Sequence, residues 1–114
     1  MTLNYRDYQI LTILENKGFP YEKGTPAYLI KGEWRLFPTY KQILVWMMQN
    51  GYSLDVTEEE EGYSWRLMDT FTGALKDDSK SHGSDEMIAQ GIYPDRHSAV
   101  RHAIRMTLNH IYNL

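Results

Sequence analysis

The chain contains no cysteine, which removes disulfides, thiolate metal sites and a cysteine nucleophile from consideration. It also has no apolar run near the ~18–20 residues that cross a bilayer, so no membrane span is expected. The opening MTLNYRDY sets an arginine beside an aspartate and has no apolar h-region, so no signal peptide is expected. Together these absences predict a cytoplasmic protein. Also missing are a P-loop, a nucleophile elbow, a dinucleotide fingerprint and an EF-hand pattern. No cofactor and no enzymatic activity are expected, although folding can still bring isolated Ser and Asp residues together. An excess of positive charge is lacking too: the formal net charge is −3, which weighs against non-specific nucleic-acid binding.

What the chain does have is aromatic residues, with nine Tyr, three Trp and three Phe in 114 residues. A domain this small cannot bury them all, and exposed Tyr and Trp are residues that anchor partners. At this length residues 1–114 are expected to form a single domain.

The clearest local signal runs from Phe37 to Val56. Thr39 followed three residues later by Gln42 makes a capping box. Tyr40, Ile43, Leu44, Met47 and Met48 then share one helical face, and Asn50-Gly51 stops the helix. Tyr52, Leu54 and Val56 alternate with polar residues, as in a half-buried strand. Before this stretch, Ile10, Leu11, Ile13 and Leu14 predict a helix over 8–17, capped by Asp7 (or Asn4) after a lead-in at 2–6 and closed by Gly18. Ala27–Ile30 and Glu33–Phe37 read as a hairpin around Lys31-Gly32.

After it, Glu58–Gly62 reads as a charged turn. A strand is expected over 63–71, with Trp65 and Leu67 facing one way and Ser64, Arg66 and Met68 the other. Residues 74–76 open a further strand. The polar stretch 77–86 reads as a mobile loop that folding does not need. Residues 87–93 fit either a strand or one helical turn, with the strand preferred. Asp95 caps a last helix over 96–111, which buries Val100, Ala103, Ile104, Thr107 and Ile111 and sends Arg101, His102, Arg105 and Asn109 to the other side. The order predicts an α+β fold, in which a small antiparallel sheet of three to five strands carries three helices on one face. Ile10, Leu14, Ile43, Leu44, Met47, Leu54, Trp65, Leu67, Val100, Ala103 and Ile104 are the expected core.

Three segments, ILTILENKGF, FPTYKQILVWM and YPDRHSAVRHAI, resemble parts of a family of small uncharacterised proteins from gut anaerobes and their phages and mobile elements. They match its opening helix ending in Lys-Gly-Phe, its Pro-Thr-capped central helix with a Trp, and its closing helix. Phe37 and Met47 depart from the family pattern, as do the Arg and His residues of the last segment. These motifs are caps, core positions and helix stops, so the resemblance implies a fold and an origin but no activity.

For chemistry, the four histidines lack ligand spacing: His97 and His102 are five apart, and His82 sits among acids without a calcium-loop pattern. No metal site is expected. Trp46 points roughly 120° from the apolar face of its helix, so it either reaches the hairpin or lies exposed. Trp34 sits on a short hairpin. Trp34 and Trp46 are therefore the candidate contacts to a protein partner, and a homodimer is compatible with this. The alternative is nucleic-acid binding through Arg96, Arg101, His102 and Arg105 on the last helix. The function expected is that of a small accessory or interaction protein.

Overall fold

The computed structural model describes residues 5–21, 23, 25–30 and 32–112. Among these, the order is α1 (Tyr5–Asn16), β1 (Ala27–Ile30), β2 (Glu33–Leu36), α2 (Tyr40–Gln49), β3 (Tyr52–Glu58), β4 (Tyr63–Asp69), β5 (Leu75–Asp78) and α3 (Arg96–Tyr112), with a 3-10 turn at Ser79–Ser81. The fold is α+β. It contains two small antiparallel sheets where the sequence suggested one: β1–β2, and a three-stranded sheet in the order β3–β4–β5. The helices do not simply share one sheet face. α2 lies against β3, α3 against β3 and β4, and α1 packs on α3.

α1 starts three residues before the expected position. Asp7 therefore lies within the helix and not at its boundary; Asn4, the other proposed cap, lies outside the described residues. The stripe Ile10, Leu11, Ile13 and Leu14 is fully buried. At the far end Gly18 takes the left-handed conformation (φ 69°), and the Phe19 N–H donates to the Leu14 carbonyl at 3.0 Å, so the chain folds back with Phe19 against the core.

α2 opens with the capping box read from the sequence. The Gln42 N–H donates to Thr39 Oγ1, and the Thr39 N–H donates to Gln42 Oε1. β3 and β4 pair from Tyr52↔Asp69 to Glu58↔Tyr63. β5 pairs with β4 across an irregularity at Leu67/Met68. At α3, Asp95 Oδ1 accepts from the Ser98 N–H at 2.8 Å, as expected of its cap.

Two stretches differ from their sequence reading. Residues 77–86 are not an unattached loop: they hold the end of β5 and the 3-10 turn, and Ser79 is buried. Residues 87–93 are neither helix nor strand. They form a tight turn with isolated bridges Ala89↔Ile92 and Tyr63↔Tyr93, which brings Tyr93 beside β4. Gly62 allows this approach, because a Cβ there would lie 2.2 Å from the Tyr93 carbonyl oxygen.

The main core joins the stripes of α1, α2 and α3 with Phe19, Phe37 and Leu67, and a second cluster gathers Trp65, Tyr93, Ala99 and Ala103. Of the expected core, Leu44 and Leu54 are only half-buried and pack on its edge. Phe37, Trp46, Tyr93 and Leu108 are buried although they were not expected to be.

Candidate interaction surface

The β1–β2 hairpin has two unlike faces. Its register opposes Ala27 to Leu36, Tyr28 to Arg35, Leu29 to Trp34 and Ile30 to Glu33. Opposed residues project to the same side, and successive residues to opposite sides. Tyr28 therefore turns inward, edge-on to Phe37 with centroids 6.4 Å apart. Arg35 turns the same way and forms an ion pair with Glu15 of α1; that hydrogen bond raises the guanidinium pKa above its ordinary value. The outer face consists of Ala27, Leu29, Trp34 and Leu36. All four are exposed, Leu29 by 60%, Trp34 by 71% and Leu36 by 43%. Trp34 alone leaves about 180 Å² in water, given that a large aromatic offers up to about 250 Å².

The same residues present the hairpin's free backbone. The Phe37 N–H donates to the Pro26 carbonyl at 2.9 Å, which fixes the alternation of the ladder. Going up from that pair, Tyr28/Arg35 and Ile30/Glu33 exchange bonds, while Ala27/Leu36 and Leu29/Trp34 point their N–H and C=O groups outward. Among the described residues this sheet has no third strand.

Trp46, the other candidate, is buried, at 8% exposure. Its ring packs edge-on to Phe19 at 5.4 Å, because Phe19 folds back at the helix stop and covers the side of α2 away from the main stripe. The edge of Trp46 lines a pocket of ≈ 240 Å³ with Phe19, Pro20, Lys41, Val45 and two glutamines. That is smaller than the roughly 300 Å³ at which ligand sites begin.

The basic side of α3 is not assembled as a stripe. His102 faces inward, at 1% exposure, a correction to its expected outward position. Arg101 is paired with Glu86 at 2.8 Å. Arg105 is half-buried and interacts within the chain. Arg96 is exposed and reaches the Val56 carbonyl at 3.5 Å. The four residues thus do not share one solvated face.

His102 instead belongs to a buried chain that the sequence did not signal. Trp65 Nε1–H donates to Tyr93 Oη at 3.3 Å, and the same hydroxyl is hydrogen-bonded to His102 Nδ1. His82 also stacks on Trp65 at 5.5 Å and pairs with Asp77 at 2.8 Å. The Trp65 N–H is met by Ser79 Oγ, which in turn donates to the Gly91 carbonyl. A spacing of nine residues between Tyr93 and His102, across a turn and a helix start, has no periodic signature. Among the described residues no three His, Asp or Glu side chains could hold a metal ion together, and no helix is long and apolar enough to cross a membrane.

No protein-family model matches the chain, and neither does any curated protein or solved structure.

Proposed function

We propose that the protein is a small, non-enzymatic interaction module that engages a protein partner through the outer face of its β1–β2 hairpin. The observation that carries this reading is the Leu29–Trp34 cross-strand pair, both of whose members lie largely in water. Isolated exposed apolar residues are ordinary. Four on one face, centred on a tryptophan and free of ionisable groups, offer binding and no chemistry. Covering Trp34 removes about 180 Å² of apolar surface, worth roughly 4 kcal/mol before association costs. Trp is also the residue most enriched among those that dominate interface energies. The resemblance read in the sequence adds a phage or mobile-element origin to this picture. For nucleic acid, the pairing of Arg101 and the burial of His102 break up the basic stripe of α3 that would have met successive phosphates.

A photo-crosslinking side chain at position 34 tests the reading in the native host, with position 71 as the control because Phe71 is the most exposed large apolar residue among those described. Capture of a defined protein from position 34 and not from 71, little affected by salt and lost on Leu29→Lys, is the expected result. Equal capture from both positions, or capture of nucleic acid that falls steeply with salt, contradicts it.

A further inference from the structure

We infer that the partner of this hairpin is a second copy of the chain, added edge to edge along β2 in antiparallel register centred on Trp34. This rests on the hairpin reading above and specifies a partner for it. The edge of β2 is open: Trp34 and Leu36 point their backbone groups away from β1, by the alternation that the Phe37–Pro26 bond fixes. A row of unpaired donors and acceptors is a template for another strand. Among the described residues no bulge interrupts its pairing with β1 and no third strand covers it.

The sequence of β2 is self-complementary about its tryptophan. In Glu33-Trp34-Arg35, a twofold axis through position 34 sets Trp34 against the partner's Trp34 on the apolar face. On the other face the same axis sets Glu33 against the partner's Arg35, and Arg35 against the partner's Glu33. Opposite charges directly across an antiparallel pair stabilise it, and like charges disfavour it. The neighbouring register centred on Arg35 would oppose the two arginines, and the one centred on Leu36 would set Trp34 opposite Pro38, which has no N–H to give. Charge and backbone chemistry therefore select the Trp34-centred register. The twofold pairing along β2 is also closed: once two chains have met there, that edge is used up.

The contact is small. Two four-residue strands cover far less than the roughly 800 Å² per partner of a stable interface. The dimer is accordingly weak, half-formed on the order of 100 µM.

Sedimentation velocity from about 5 µM to about 1 mM reads this directly. The wild-type chain is expected to pass from monomer to dimer across that range. Trp34→Lys and Glu33→Arg each shift the midpoint at least about tenfold upward, the second because it faces like charges across both sides of the axis. The combined E15R/E33R/R35E variant reverses both ends of each cross-strand pair and keeps the ion pair between positions 15 and 35, so it restores dimerisation to near the wild-type midpoint. Far-UV circular dichroism shows whether each variant is folded. A wild-type chain still monomeric at about 1 mM overturns the proposal, as does a dimer indifferent to both Glu33→Arg and the triple reversal. A monomeric chain that still captures a different protein from position 34 overturns the self-pairing alone and leaves the interface reading standing.

Discussion

Ser79→Ala is the substitution that most sharply separates a pinned segment from a dispensable loop. Ser79 is 1% exposed. Its hydroxyl accepts from the Trp65 N–H at 3.2 Å and donates to the Gly91 carbonyl at 2.8 Å. It thus takes the place of a strand at the point where β5 ends beside β4. Alanine leaves the Trp65 N–H and the Gly91 C=O facing a small apolar side chain. Each orphaned buried backbone group costs about 1–3 kcal/mol, so the expected loss is roughly 2–4 kcal/mol after partial relaxation. Urea unfolding followed by tryptophan fluorescence measures it as a lower midpoint at unchanged slope. Ser81→Ala is the control. That serine is exposed and bonds Asp78 at the end of the same turn, and its loss is expected to stay within about 0.5 kcal/mol. Equal and small effects at both positions would falsify the view that Ser79 ties residues 77–91 to the sheet.

Other outcomes follow from burial and caps. Gly62→Ala drives a methyl group to within 2.2 Å of the Tyr93 carbonyl oxygen and should cost about 1–3 kcal/mol in the same assay, with the Tyr63↔Tyr93 bridge the first to open. Leu67→Ala, at a fully buried site, should cost roughly 2–5 kcal/mol, and Leu44→Ala distinctly less, since Leu44 is half-buried; the reverse order in denaturant midpoints would refute the packing described. Asp95→Ala removes the α3 cap for about 0.5–2 kcal/mol. Hydrogen bonds from Ser98 hold the Asp95 carboxyl below its usual range. Its contribution is therefore fully present above the ordinary carboxylate pKa of about 3.9 and is lost as pH falls through the lower folded value. The acid limb of a stability–pH curve should flatten in Asp95→Ala, and an unchanged limb contradicts the cap.

Local rules carried the reading wherever a single element decided the outcome. Thr39, Gln42 and Gly51 marked α2 because a cap and a stop are chemistry within one helical turn. Strand pairing of β3 with β4 followed from period-2 alternation across a charged turn. What failed depended on contacts between distant segments. Trp46 was read by helical angle as reaching the hairpin or lying exposed, yet Phe19, returned to the core by the turn at Gly18, covers it. His102 lies off the apolar stripe of α3, but the turn before the helix brings the Tyr93 hydroxyl to it and makes an inward polar position favourable. The polar stretch 77–86 looked unanchored because its anchors are strand pairing at the end of β5, the Ser79 hydroxyl and the Glu86–Arg101 ion pair, which carry no hydropathy signal. Trp34 was legible as a candidate from its place on a short hairpin. Its partners on the exposed face emerged only from the register, since a one-residue slip would have turned it inward.

Iodide quenching of a chain that retains Trp34 and carries Phe at positions 46 and 65 tests the central claim most directly. In dilute solution Trp34 should be quenched nearly as well as a free tryptophan derivative, and addition of the crosslinked partner, or of more chain, should shield it. A Trp34 already shielded in a dilute monomer, or one that stays fully quenchable in the complex, would contradict the account.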